Sequence, residues 1–364
     1  MSPALVTGLF ALFSAGEAGP TRPSVETIEA SRPVTRRLVG DHEPAERYLV
    51  ALSAGWPRTY PALLEALAAE APVTVFVQAD AGIRAARRFV SALPARTRAQ
   101  LTLRPDPVDS PWIRDYGPLQ VHEPGGGIAW LDAVYEERPL DDVVPARLAM
   151  EWSVPLEPLP VSFDGGALAS DGLGHCVTTS DYLDAQRIDR AGPLLRRELL
   201  PALGCHTLLL VPALLDEDTG HVDMFLQFLG PNIVGIASVD PDVDPDQAAR
   251  LDVATAAVEA FAERRGLHWT IVRVAMGVDL SGDLFPYING IHLPHAFLMP
   301  SYHPRPTPTE TRAADALTAA MPGTRVVRIP TAQMADLGGA LHCAVLGIRR
   351  STTAVDRSSA AALR

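Results

Sequence analysis

Short apolar runs alternate with stretches of helical periodicity along most of the chain, the pattern of a mixed α/β fold. Strands are predicted over 46–53, 73–78, 207–211, 232–237, 269–274, 296–299 and 325–329, and helices over 60–71, 82–93, 191–203, 246–265 and 309–320. No long linker interrupts the alternation, so one α/β domain spanning 34–350 is expected. Before it, residues 1–33 are rich in small residues, Pro and Thr and read as an N-terminal extension; after it, 351–364 lack periodicity and read as a mobile tail.

Five places break the apolar pattern with polar groups beside turn signals: Trp112-Ile-Arg-Asp-Tyr-Gly-Pro118, Phe163-Asp-Gly-Gly166, Gly220-His-Val-Asp223, Tyr287-Ile-Asn-Gly290 and Gly338-Gly-Ala-Leu-His-Cys343. They recur at steps of roughly 50–70 residues, near the range of repeated supersecondary units, without the identity that would establish a repeat. If 220–228 is extended, His221 and Asp223 share a face, so a carboxylate that holds a cation stands beside an imidazole that moves a proton near neutral pH. By itself this tetrapeptide reads first as a surface ion pair at a strand end. Alternation likewise puts His342 and Cys343 on opposite faces of a strand. Trp112 and Arg114 share a side if the segment is extended, whereas in a loop Trp112 and Asp115 converge as an indole beside a carboxylate, a receptor for a planar cation. Asp164 and Asn289 carry only a turn signal on their own.

Composition narrows the chemistry. All 31 basic side chains of fixed charge are arginine, set against 43 Asp and Glu for a net charge of −12. With no lysine there is neither a Schiff-base amine nor a P-loop lysine. The acidic balance argues against nucleic acid or an anionic membrane as partner and suits a cationic ligand. A lone Cys in an apolar run is ordinarily core, but Cys343 with His221 in reach supplies the strongest nucleophile this chain can offer. Three cysteines, Cys176, Cys205 and Cys343, form no disulfide framework. No run reaches the ~18 apolar residues of a membrane span. Residues 4–13 have the length of a signal-peptide core without its basic flank, so a cytoplasmic location is favoured, with a secreted or periplasmic one as the alternative.

Taken in order, the five motifs resemble those of agmatine deiminases and Porphyromonas-type peptidylarginine deiminases, W-x-R-D-x-G-P, E/D-G-G, G-H-x-D, Y-x-N and G-x-I-H-C, over about residues 34–350. The resemblance implies a pentein fold, a five-bladed α/β propeller with pseudo-fivefold symmetry. It implies Cys343 as nucleophile, His221 as general acid and base, Asp115 and Asp223 gripping a guanidinium, Asp164 orienting the imidazole, and Trp112, Asn289 and Arg114 binding substrate. It implies no metal or organic cofactor. The substrate would be agmatine, an arginine-containing peptide or another small guanidino compound, hydrolysed to a ureido group and ammonia through a cysteine thiouronium; the oligomeric state stays open. Ala340-Leu341 replaces the usual Asn-Ile, Ala344-Val-Leu follows Cys343, and 290–295 lacks the Phe-Tyr of agmatine deiminases, which together with Asp164 leans towards the peptidylarginine branch.

Two rival readings remain at this level. One is a metal-dependent hydrolase using His175-Cys176 with Cys205-His206, or His292 and His295 with His303, although neither spacing matches a zinc motif. The other is a protein of the same fold that binds guanidino ligands without turnover.

Overall fold

Strand β3 (Arg47–Leu52) is apolar on both faces, as is β4 (Val73–Val77), and every residue of β4 is buried. Such continuous apolar strands pair in parallel and need cover on both sides. They do pair in parallel, and β4 pairs in parallel in turn with β5 (Leu101–Arg104). These strands belong to a computed structural model that describes residues 26–53, 56–77, 82–135, 138–279, 281–335 and 338–349. The reading of 1–25 as a signal segment or extension, and of 351–364 as a tail, lies outside the described residues.

One connection recurs in five sheets: an inner strand pairs antiparallel with a second, which pairs in parallel with a third. In the first sheet the inner strand is the last of the chain, β20 (Val345–Ile348), antiparallel to β3. In the second, β6 (Leu119–His122) pairs with β7 (Ile128–Val134) and that with β8 (Leu156–Ser162). The third runs β9 (Ala169–Ser170), β10 (His175–Thr179), β11 (Thr207–Val211). The fourth runs β12 (Leu226–Gly230), β13 (Ile233–Ser238), β14 (Thr270–Ala275). In the fifth, β17 (Ile291–His292) precedes β18 (Ala296–Ser301) and β19 (Arg325–Pro330). Two short strands add edges, β1 (Thr27–Glu29) on β11 and β2 (Arg37–Leu38) on β6. Thus β1, which precedes the boundary drawn at residue 34, hydrogen-bonds into a core sheet. A separate hairpin joins β15 (Gly277–Val278) to β16 (Leu284–Phe285).

Helices connect the strands where periodicity places them. The longest, Pro245–Arg265, starts at Asp244, whose side chain accepts from Gln247 N, has Pro at its first position, and ends at Gly266 in the left-handed region (φ 65°). Pro308–Ala320 is capped by Thr307, with Glu310 three residues on. The helix expected over 191–203 begins at Leu194 as a widened turn to Leu199 and continues as Leu200–Leu203; Pro201, which has no N–H to give, sits at that change of pitch. No helix among the described residues is long and apolar enough to cross a membrane.

Cysteine chemistry differs from the sequence expectation at one point. Cys176 on β10 and Cys205 just before β11 form a disulfide, and Cys343 alone is free. The first metal-binding rival thereby loses both its thiolates.

Candidate active site

Each of the five polar motifs ends immediately before the inner strand of one sheet, and four of them fold into a single helical turn there. Ile113–Tyr116 precedes β6, Gly165–Ala167 precedes β9, Val222–Met224 precedes β12, and Leu341–Ala344 precedes β20. Asn289 stands in the turn before β17. Repetition of one connection therefore brings residues far apart in the chain to one end of the sheets. The turns also correct the extended geometry expected for these segments. His221 caps a single turn and Asp223 lies within it, rather than the two alternating along a strand. Cys343 lies within a turn whose strand begins only at residue 345, so His342 and Cys343 both reach Asp223 instead of facing opposite ways.

The His221 imidazole is held from three sides. Its Nε2 lies 3.1 Å from Asp164 Oδ2, its Nδ1 lies 3.6 Å from Asp115 Oδ1, and the Tyr182 ring packs edge-on with centroids 5.5 Å apart. Its backbone N–H donates to Thr219 Oγ1, and Thr179 Oγ1 donates to the Gly220 carbonyl at 2.6 Å. Gly220 takes φ +67°, with the Tyr182 backbone packed close by, which explains the glycine of the motif. Tyr182 also fixes Asp164, whose N–H donates to the phenolic oxygen at 2.6 Å. Neither Tyr182 nor Thr179 shows any sign in the sequence, because both belong to apolar or turn segments with ordinary patterning.

Cys343 is 5% exposed. Its thiol lies 3.7 Å from Asp223 Oδ2, and Asn289 Nδ2 donates to Sγ at 3.4 Å. Asn289 is fully buried and works as a bracket: Nδ2 also donates to the Asp223 carbonyl at 3.0 Å, while Oδ1 accepts from His342 N at 3.0 Å. The structure thus places it behind the cavity wall, not in it. The other Asp223 oxygen, Oδ1, is buried without a hydrogen-bond partner. A buried carboxylate oxygen in that condition is a strong acceptor for a charged N–H donor.

A cavity of about 640 Å³ lies beside this cluster, and like Asn289 neither Cys343 nor Asp223 is among its lining residues. Trp112, Asp115, Asp164, His221 and Met224 line its inner part. Trp112 is wedged against Trp56 (centroids 4.9 Å) and over Gly339, where a Cβ would stand 2.6 Å from the indole. Trp112 and Asp115 therefore converge, as the loop alternative required. Arg114 does not join them. Its guanidinium turns behind the site to Asp41 (2.9 Å) and donates to the Val345 carbonyl at 3.3 Å, so the substrate-binding part expected of it falls to neighbours. A helical turn sends alternate side chains to different sides, and Arg114 follows the side facing the last strand.

Glycine makes the convergence possible. A Cβ on Gly166 would lie 2.7 Å from Asp115 Oδ1, 2.7 Å from His221 Nδ1 and 3.2 Å from Asp223 Oδ2. On Gly165 it would lie 2.1 Å from the Arg114 carbonyl. The Asp-Gly-Gly sequence reads as a turn, yet its glycines serve close approach. Gly166→Ala is expected to lower kcat/KM by about 10²-fold or more while shifting Tm by only a few degrees, since it displaces three charged groups and little core. Steady-state kinetics beside a thermal melt checks this; unchanged kinetics would show that the three groups need not converge.

The electrostatics follow from burial of like charges together. Burial, with Asp164 and Asp223 nearby, pushes Asp115 up to about 7 even though His221 pulls it down. Burial alone would discharge His221, but Asp115 and the hydrogen bond that the imidazole gives to Asp164 outweigh it and raise it to about 9. Burial, followed by Asp223 and Asp115, drives the Cys343 thiol well above its usual range. A site with a protonated thiol, a protonated imidazole and surrounding carboxylates attracts a cation and becomes reactive when that cation offsets the carboxylates' field.

Comparison with known proteins agrees in fold and family. A family model described as Porphyromonas-type peptidyl-arginine deiminase matches residues 46–347. The agmatine deiminase of Stutzerimonas stutzeri is 25% identical over 325 residues, covering 78% of this chain and 84% of that protein. Among solved structures, agmatine deiminase of Enterococcus faecalis superposes with a TM-score of 0.73 at 19% identity, covering 87% of this chain and 96% of that one. The agmatine deiminase of C. jejuni superposes with a TM-score of 0.72 at 16% identity, covering 86% and 97%.

Proposed function

The chain belongs to the Porphyromonas-type peptidyl-arginine deiminase family, and from that premise we propose that it hydrolyses agmatine to its ureido counterpart and ammonia with Cys343 as nucleophile. Hydrolysis of a guanidino C–N bond is the activity of this family, and neither a metal-dependent hydrolase nor a turnover-free binder has support in the relatives. The observation that carries the residue assignment is Asp223, whose Oδ1 is buried without a partner while its Oδ2 lies 3.7 Å from the Cys343 thiol, with the Asp115 carboxylate close by across Gly166. Two carboxylates flanking a nucleophile fit the planar array of guanidinium N–H donors, which pairs bidentately with carboxylate oxygens.

Asp115 and Asp223 grip the guanidinium, and Trp112 packs on its face. The incoming positive charge offsets the two carboxylates that hold the thiol protonated, so the thiol releases its proton to solvent water and the thiolate adds to the central guanidino carbon. His221, charged and fixed by Asp164, donates a proton to the departing nitrogen, and the C–N bond breaks to release ammonia. The sulfur then carries an amidino group as a thiouronium. His221, now neutral, accepts a proton from water as the oxygen adds to that carbon; the C–S bond breaks and the remaining hydroxyl proton passes by way of solvent to the departing thiolate, leaving a ureido product, the thiol and a charged His221. The five recurring sheets support an arrangement of residues 34–350 as one five-unit α/β propeller with pseudo-fivefold symmetry and this site at its centre.

Agmatine is favoured by the cavity's mouth. Asp216 and Asp218 on the loop before His221, and Asp283 across from it, are exposed carboxylates in the wall; Glu217 folds back to accept from Thr219 and Gly220, and Arg138 is the one arginine among the described lining residues. A second positive charge on the far end of the substrate suits this lip, and the α-carboxylate of free arginine does not. Agmatine, arginine and a peptide ending in arginine, assayed for ammonia and ureido product, should rank with agmatine at least about 10-fold above arginine in kcat/KM, an advantage that shrinks in high salt. Equal or better turnover of arginine or the peptide would overturn the assignment.

Asp115 must be ionised, so kcat/KM should rise as pH increases through about 7, and His221 must be protonated, so it should fall as pH passes about 9. Both limbs belong to the coupled cluster rather than to one residue each. A profile flat from 6 to 10 would remove the acid–base part of the scheme.

A further inference from the structure

Beneath the cavity floor runs a line of charges that the mechanism leaves unused. His342 Nδ1 lies 2.7 Å from Asp223 Oδ2, the oxygen that also faces the Cys343 thiol. On its far side, Nε2 lies 3.1 Å from Asp41 Oδ2, at ion-pair distance without hydrogen-bond alignment. Asp41 in turn pairs with Arg114 at 2.9 Å. His342 is 2% exposed and its backbone N–H is held by Asn289 Oδ1. The loop bearing Asp41 is clamped by the buried Arg349, whose guanidinium donates to the carbonyls of Gly40, Asp41 and Glu43, and by Glu43, which accepts from Gly40 N. His342, Asp41, Arg114 and Arg349 do not line the cavity, yet they are held as tightly as the site itself.

We propose that His342 is a positioning residue: a cationic imidazole locked between Asp41 and Asp223 that holds one Asp223 oxygen, leaves the other free for the guanidinium, and offsets the carboxylate beside the thiol. The proposal rests on the deiminase reading for its kinetic consequence but not for its effect on the thiol. An acidic carboxylate 3.7 Å from a thiol penalises the thiolate, and a cation on the same oxygen reduces that penalty. Burial and Arg114 oppose a charged His342, while Asp41 and Asp223 outweigh them. Burial likewise opposes an ionised Asp41, but Arg114, His342 and Arg349 keep its carboxyl well below the usual range. Two further imidazoles stand close to the pair, His42 and His292, and burial lowers both, His292 to about 3. The cation is thus assembled from one end by Asp223, from the other by Asp41, and Arg114 keeps Asp41 ionised.

The test reads the thiol directly. The rate of Cys343 alkylation by iodoacetamide is followed against pH by peptide mass spectrometry, in the full chain and in His342→Asn, which keeps a side-chain donor but cannot carry charge. Its alkylation midpoint should move up by about one pH unit, and its kcat/KM on agmatine should fall by about 10-fold or more. Asp41→Asn, which keeps the size and polarity of the side chain, should move both readouts the same way by less, and the double variant should match His342→Asn alone. An unmoved alkylation profile in both single variants, or strictly additive effects, would overturn the proposal. Failure of the deiminase reading shows differently, as absence of turnover in the native chain with the alkylation shifts intact.

Discussion

Cys343→Ala should abolish ammonia release, lowering kcat by about 10⁴-fold or more, while agmatine still binds. The lost group forms and breaks the bond to carbon, and nothing nearby can replace it. There is no lysine in the chain, and the other two cysteines are tied to each other. The remaining cluster, Asp115, Asp223 and the Trp112 face, stays in place, so a guanidinium should bind at least as well once the thiol is gone. Asn289 would keep its bonds to the Asp223 carbonyl and to His342 N, which limits the structural cost of the truncation. Ammonia release measured over hours, with agmatine binding followed by calorimetry, separates these two expectations. Turnover within 10-fold of native would remove Cys343 from the chemistry, and loss of binding would mean that the thiol supports the carboxylates rather than reacting beside them.

Asp223→Asn should act in opposite directions on two measurements. Turnover should fall by about 10³-fold, because the free oxygen that accepts from the guanidinium becomes part of a neutral amide and half of the grip is lost. The thiol should meanwhile become more reactive. Asp223 is the strongest charged influence raising the Cys343 thiol, and with its charge removed His342 stands near the sulfur without an intervening carboxylate. Alkylation of Cys343 at neutral pH should therefore speed up several-fold while catalysis collapses. A general loosening of the site would change both in other combinations, with slower turnover and alkylation limited only by exposure. Slower alkylation in Asp223→Asn would show that the carboxylate activates the thiol, contrary to the electrostatics described above.

Much of this was legible before any fold was known. Residues 46–53 and 73–78 announce themselves as buried strands by apolar continuity, and the long helix over 246–265 by its Asp244-Pro245 start and Gly266 stop. Polar breaks in an otherwise apolar pattern singled out Asp115, Asp164, His221, Asp223, Asn289 and Cys343, since buried polar groups survive only with partners or a purpose. What the pattern hid was local shape. Alternation at 220–223 and 340–343 suggests strands, but each segment is a helical turn feeding a strand, a distinction that period counting over four residues cannot make. Arg114 was misplaced for the same reason, because a turn carries it behind the site to Asp41. Asp41 itself lies in a Gly-Asp-His-Glu stretch that reads as a surface turn, and only its packing under Arg349 and against His342 shows it to be part of the interior. The Cys176–Cys205 bond was missed because an odd cysteine count gives no pairing.

Agmatine turned over by the native chain, and by the same chain alkylated at Cys343, tests the central claim most directly when ammonia and ureido product are quantified together. The account predicts equimolar ammonia and ureido product from the native protein and neither from the alkylated one. Product formation undiminished by complete labelling of Cys343, or agmatine bound by the native protein with no product after prolonged incubation, would contradict it.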